Sequence, residues 1–214
     1  MIPILFENDD IIAVNKPEGL ASIPERAKEK ESVLSLLLPA FPQKLYVVHR
    51  LDKEASGVLI FARNAAAHKY LNAQFSSRTI KKIYVALTHG VIKDDRGIID
   101  KPLRQFGSGR TGVDIQRGKS SATEFEVTKR FDAHTLIDVH TLTGRRHQIR
   151  AHLYSIGHPI VGDLHYGDKA LQRTFPRLML HAQKIILQLP SGQNVTIEAP
   201  IPESFQAVIG MVSR

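Results

Sequence analysis

Short, dense apolar runs separated by turn residues set the pattern of this chain. Ile11-Ile12-Ala13-Val14, Leu45-Tyr46-Val47-Val48 and Val58-Leu59-Ile60-Phe61-Ala62 are uninterrupted apolar stretches rich in β-branched and aromatic residues. Runs of this length and composition predict buried strands. The first ends at Asn15-Lys16-Pro17-Glu18-Gly19, where Pro17 and Gly19 mark a turn. Ile83 to Leu87 predicts another strand. Residues 122–129 and 135–141 predict a strand pair turning at Phe131-Asp132-Ala133. Residues 178–189 and 194–199 predict a closing hairpin through Pro190-Ser191-Gly192.

Three segments carry helical spacing. Ser32 predicts an N-cap for a short helix from Val33 to Leu38, stopped by Pro39. Asn64 caps a helix to about Ser77, with Ala67, Leu71 and Phe75 four residues apart. A third helix opens at Thr143 or Gly144 and ends at Gly157, with Ile149, Leu153 and Ile156 on one face. Residues 24–31 are charged and predict a loop. Residues 93–121 hold five glycines and many charges with little periodicity, which predicts a mobile basic binding loop with at most a short hairpin. Many strands, few helices and no regular β-α-β alternation indicate an α+β class. The expected architecture is a mixed, mainly antiparallel sheet with flanking helices and long basic loops. No repeat or linker divides the sequence, so a single domain over 1–214 is expected.

Composition narrows the chemistry. The absence of cysteine excludes disulfides, thiolate metal sites and a cysteine nucleophile. No apolar run approaches the roughly 20 residues of a membrane helix. The first residues lack a basic region and a cleavage site, so a cytoplasmic protein is expected. With 29 basic and 21 acidic residues the formal charge is +8, which favours a polyanionic partner. The basic residues cluster as Arg78, Lys81 and Lys82, as Arg104, Arg110, Arg117 and Lys119, and as Arg145, Arg146 and Arg150. Each cluster alone also fits a solvated face.

Two constellations carry candidate chemistry. His49-Arg50-Leu51-Asp52-Lys53-Glu54-Ala55-Ser56-Gly57 places an imidazole, a guanidinium and a carboxylate at a turn between two apolar runs. A turn on a rigid scaffold is where chemistry tends to sit, although a solvated hairpin tip uses the same residue types. In the second, Thr143 to Leu153, Arg150 falls at the border of the apolar helical stripe. A guanidinium partly desolvated there needs a fixed anion, and Asp52 is the candidate. A metal site is not expected. His147 and His152 are five apart rather than four, and His158, Asp163 and His165 follow a loop. These histidines are expected to contact phosphate or backbone, or to cap local structure.

In order along the chain, these blocks resemble the RluA family of pseudouridine synthases. Ile11 to Gly19 resembles its opening strand and Asn-Lys-Pro-x-Gly turn. His49 to Gly57 resembles its His-Arg-Leu-Asp signature, with Ala55 where the family often has Thr. Lys82-Ile83-Tyr84-Val85-Ala86 resembles its second motif. Gly118 to Thr123 resembles Gly-Lys-x-Ala-x-Thr with one extra residue. Thr143 to Arg150 resembles Thr-Gly-Arg-x-His-Gln-Ile-Arg, and Gly157 to Asp163 and Leu180-His181-Ala182 resemble the last two blocks.

The resemblance implies isomerisation of uridine to pseudouridine in ribosomal or transfer RNA, without metal or cofactor. It implies that Asp52 is the catalytic carboxylate, acting on the sugar as nucleophile or as the base that starts elimination. Arg150 pairs with it, Tyr84 stacks on the base, and Arg50 fills the space left by the flipped uridine. His49, Lys82, Lys119, Arg145 and His147 are implied as substrate-binding or positioning residues. The chain resembles the shorter members, without an S4 domain, so the catalytic domain itself is expected to recognise RNA. A monomer is expected, since no heptad seam appears. Two other classes remain as alternatives: a catalytically silent RNA-binding protein, and a nucleoside or glycoside hydrolase, which typically uses two carboxylates.

Overall fold

A computed structural model describes residues 2–24, 31–41, 43–107 and 109–213. The charged stretch 24–31 lies, apart from its two ends, outside the described residues. The elements in chain order are β1 (Ile4–Glu7), β2 (Ile11–Lys16), α1 (Val33–Leu37), β3 (Tyr46–Val47), β4 (Ser56–Ala62), α2 (Ala65–Ser77), β5 (Lys81–His89), β6 (Arg96–Asp100), β7 (Leu103–Gln105), β8 (Thr111–Val113), β9 (Ala122–Arg130), β10 (His134–Thr141), α3 (Gln148–Ser155), α4 (Lys169–Gln172), β11 (Leu180–Gln188), β12 (Asn194–Glu198) and α5 (Glu203–Val212). The chain divides into two compact units. The first comprises Met1–Lys82 and Ala182–Pro200, the second Ile83–His181 and Ile201–Arg214.

In the first unit β2 lies between β1 and β4, antiparallel to both. β11 follows β4 in the sheet and carries β12. Successive side chains of a strand point to opposite faces. Ile11, Ala13, Val58, Ile60 and Ala62 share one face with Ala67 and Leu71 of α2. Ile12, Val14, Leu59 and Phe61, on the other face, are equally inaccessible. Burial on both faces is why these strands read as continuous apolar runs rather than alternating ones. Both predicted caps are present. Asn64 Oδ1 accepts from the Ala67 N–H at 2.8 Å, and Ser32 and Ser35 form a capping box. α1 stops at Leu37, and Pro39 sits in the 3₁₀ turn that follows. The run at 45–48 yields a strand of only two residues, pairing Tyr46 with Ala62 and Val47 with Phe61.

In the second unit β10 lies between β5 and β9, and β6 pairs with the far side of β9, all antiparallel. Within 93–121 the short hairpin is present as β7–β8, and the correction is β6, a strand paired with β9 where loop was expected. β6 is Arg-Gly-Ile-Ile-Asp with only Ile99 buried, too short and polar a pattern to read as a strand without its partner. The helix expected from Thr143 or Gly144 begins instead at Gln148, after His147 in a left-handed conformation (φ 51°). α5 was not foreseen, and it buries Phe205 and Val208. Among the described residues no helix is long and apolar enough to cross a membrane. The expected mixed, mostly antiparallel α+β class is borne out.

Candidate active site

Asp52 sits on the loop between β3 and β4, half-buried, with Arg50 exposed beside it. The loop's shape is set by the turn after β2. Lys16 is fully buried, and its ammonium donates to the carbonyls of Leu20 at 2.6 Å, Pro17 at 2.9 Å and Lys53 at 3.0 Å. The Gly19 N–H donates to the same Lys53 carbonyl at 2.9 Å. Ser22 Oγ accepts from the Leu51 N–H at 3.0 Å and donates to the Leu51 carbonyl at 2.9 Å. Both residues flanking Asp52 are thereby tied through their backbone atoms to Lys16, Gly19 and Ser22. Burying an ammonium costs several kcal/mol, which the converging carbonyls offset. Gly57 closes the loop at φ 118°, where a Cβ would collide with the Ala182 carbonyl.

His49 starts the loop. Its Nε2 accepts the Ile60 N–H of β4 at 3.0 Å, taking the place of a further β3 residue, and its ring stacks on Phe75 at 5.2 Å. An Nε2 that accepts carries no proton, so the ring is neutral with its hydrogen on Nδ1. Burial, with a smaller push from the Lys82 ammonium, drives its pKa down to about 3. Burial also lowers that of Lys82. His49 is thus a loop anchor, and its charge is not available to a phosphate near neutral pH.

In the second unit Arg150 is 1% exposed, not merely at the border of a stripe. Its Nε and Nη2 donate to the two carboxylate oxygens of Asp163 at 2.7 and 2.8 Å. The sequence offered Asp52 as the partner of Arg150; the carboxylate on these two nitrogens is Asp163. The Tyr166 ring lies 5.5 Å from the guanidinium. The buried Tyr166 hydroxyl accepts from the Thr111 N–H and donates to the Thr111 carbonyl, and His147 Nδ1 lies 3.3 Å away. Burial raises the pKa of Tyr166.

Gln148 shapes the Thr143–His147 turn. Its Oε1 accepts from the Thr143 hydroxyl at 2.6 Å and the Arg145 N–H at 3.0 Å. Its Nε2 donates to the Ala122 carbonyl and to Thr123 Oγ1. The turn holds Arg145 and Arg146 exposed, and Arg145 Nη2 reaches the Ser120 carbonyl beside the exposed Lys119. Tyr84 is half-buried at mid-β5, opposite Val139. His152 bonds Thr123 Oγ1 and the Lys101 carbonyl, and His158 bonds the His89 carbonyl, so these two histidines serve backbone and local structure as expected. Among the described residues no group of three or more His, Asp or Glu side chains is arranged to hold a metal ion.

The first unit therefore holds His49, Arg50, Asp52 and Lys82, and the second holds Tyr84, Lys119, Arg145, His147 and Arg150. Sequence reasoning gave no role to Lys16, Gln148 or Tyr166, and weighed Asp163 only as a metal ligand. Lys16, Gln148 and Asp163 all lie inside the motif blocks, where position alone was a signal. Tyr166 gave none.

Residues 10–155 match the family described as RNA pseudouridylate synthase, a span from β2 to the end of α3. The chain belongs to the RNA pseudouridylate synthase family. It is 38% identical to the dual-specificity RNA pseudouridine synthase RluA of Escherichia coli K12, covering 92% of both chains. It is 37% identical to the ribosomal large subunit pseudouridine synthase D of Nitrosomonas europaea over 97% of its own length, and spans 64% of that relative. The solved structure of human RNA pseudouridylate synthase domain containing 1 is similar at a TM-score of 0.83 and 29% identity, covering 97% of this chain and 87% of that one. Human RNA pseudouridylate synthase domain containing 4 shares the fold at a TM-score of 0.82 and 23% identity, covering 98% and 92%. The resemblance to the RluA family of synthases is borne out, and with it the isomerase class.

Proposed function

We propose that this synthase converts specific uridines in structured ribosomal or transfer RNA to pseudouridine, with Asp52, Tyr84 and Arg150 as its catalytic set. The N1–C1′ bond breaks, the uracil turns, C5 bonds to C1′, the C5 proton leaves and N1 ends protonated. The net change is an isomerisation, and no oxidant, metal or cofactor enters it. Asp52 supplies the carboxylate at the sugar, as nucleophile or as the base that starts elimination. Tyr84 stacks on the base and helps move its proton. Arg150 is the basic member of the set, and its orientation is set by Asp163. Arg50 fills the space left by the flipped nucleotide. Lys119, Arg145, His147 and Lys82 face the substrate, with His49 anchoring the loop.

One observation carries this reading. Leu51 and Lys53, on either side of Asp52, are both pinned by Lys16, Gly19 and Ser22. A solvated hairpin tip would not require a buried ammonium to hold it, whereas a reacting carboxylate must be fixed in place. Residues 1–214 act as one catalytic domain in this proposal, since the family match includes parts of both units. A monomer in the cytoplasm, where the RNA substrate resides, completes it. The test is Asp52→Asn, assayed by nucleoside mass spectrometry of RNA before and after treatment, with thermal unfolding as the fold control. Loss of pseudouridine formation with an intact fold is expected. Turnover near wild type would overturn the Asp52 assignment. Release of free uracil would point to a hydrolase.

A further inference from the structure

The β7–β8 hairpin is held firmly at its root. Leu103 exchanges both backbone bonds with Lys119, the Asp114 N–H donates to the Pro102 carbonyl, and Tyr166 grips Thr111 through its N–H and its carbonyl. Leu103 packs with Ala151 and Tyr166 in a small core of its own. The outer end is built differently. Phe106, just past β7, remains 40% exposed. Arg104 and Gly112 are paired across the hairpin, and Phe106 stands two residues after Arg104 on the same face. Gly112 has no side chain, and the Phe106 ring rests over it. A Cβ at Gly112 would meet ring atom Cε2 at 3.1 Å.

The Arg104 guanidinium lies 5.6 Å from the Phe106 ring centre and is held by the Asp114 carboxylate at 3.1 Å. Arg110, also exposed, lies 5.0 Å from the ring of Tyr154 and 4.9 Å from that of Tyr166. Tyr154 is itself 44% exposed. Two exposed rings, Phe106 on the hairpin and Tyr154 on α3, are thus each bordered by a guanidinium group on a chain of formal charge +8. Asp114 meets the Arg104 charge, but an apolar partner would offer nothing to the exposed Arg110 guanidinium. A polyanion with unpaired bases answers both, because bases stack on aromatic and guanidinium planes while phosphates meet the charge.

We infer that Phe106, seated on Gly112 beside Arg104, is a stacking platform for an unpaired base that flanks the target uridine. This rests on RNA being the substrate and adds that recognition reads an unstacked neighbour in a loop, not only duplex charge. Arg104, held by Asp114, and the side-chain-free Gly112 give the ring a seat before RNA arrives, which lowers the ordering cost of binding.

The experiment is fluorescence anisotropy with two labelled probes, an oligouridine of about twelve nucleotides and a blunt RNA duplex of similar length. Wild type should bind the oligouridine more tightly than the duplex. Phe106→Ala should weaken oligouridine binding by about 5- to 150-fold and leave the duplex nearly unchanged. Phe106→Tyr should restore binding. The salt dependence should not move, since no charge is lost. Phe106→Leu fills the same apolar space without a π-face and should behave like Phe106→Ala. Oligouridine affinity retained in Phe106→Leu, equal losses on both probes, or no wild-type preference for the single strand would each overturn the inference. Binding is read without turnover. A failure of pseudouridine formation would therefore sink the proposed reaction and leave this result standing.

Discussion

Acid should unfold this protein partly through His49. In the folded state its Nε2 accepts the Ile60 N–H, and burial beside Phe75 and Lys82 holds its pKa down to about 3. In the unfolded chain it titrates near the ordinary 6.5. A depressed folded-state pKa means the unfolded state takes up the proton first. The stabilisation is therefore complete above about pH 6.5 and declines as pH falls towards 3. At about pH 5 the unfolded state is favoured by about 2 kcal/mol relative to about pH 7.5, at 1.36 kcal/mol per pKa unit. The assay is urea unfolding of wild type and His49→Gln at the two pH values. Gln keeps an acceptor for the Ile60 N–H and does not titrate. His89, His134 and His152 are also held low by burial, and they contribute equally to both proteins. The difference between the two proteins isolates His49. Wild type should lose about 2 kcal/mol more than His49→Gln on acidification. Identical pH dependence would show that His49 is protonated in the folded state and would refute the neutral-anchor argument.

Other perturbations follow from the same contacts. Lys16→Met should lower stability by about 1–3 kcal/mol in urea unfolding, because the converging carbonyls of Pro17, Leu20 and Lys53 lose their common donor. Asp163→Ala should cost about 3–5 kcal/mol by leaving Arg150 buried without this carboxylate. The double variant Arg150→Met, Asp163→Leu should recover much of that loss in the same unfolding assay, though not activity. Gly57→Ala should give little folded protein by circular dichroism, since its Cβ meets the Ala182 carbonyl at a backbone angle that suits glycine.

Sequence disclosed what repeats locally and little of what depends on a distant partner. The runs at 11–14 and 58–62 are continuous because β2 and β4 are buried on both faces, and no tertiary knowledge was needed to see strands there. The caps at Ser32 and Asn64 are contacts over three residues, equally local. β6 is different. Its Ile98 is 65% exposed, and what makes it a strand is the neighbouring β9, nowhere visible in five residues with a charge at each end and only two apolar side chains. The start of α3 failed for a related reason. Thr143 and Gly144 suit a helix start, but the Gln148 side chain claims the Thr143 hydroxyl and the Arg145 N–H and holds a turn there instead.

The candidate site divides along the same line. Charges crowding at a turn between core strands flagged residues 49–57 from sequence, yet its supports, Lys16 and Ser22, stand 37 and 29 residues from the backbone atoms they hold. Helical periodicity placed Arg150 near an apolar face and required an anion for it. Periodicity reports which way a side chain points and not what meets it, so the choice of carboxylate was open. Asp163 meets two of the Arg150 nitrogens, just after the left-handed turn at Gly162, where any side chain would strike the Arg177 carbonyl. A carboxylate held this way serves to orient a guanidinium. That leaves Asp52, on its doubly pinned loop, as the one to test for chemistry.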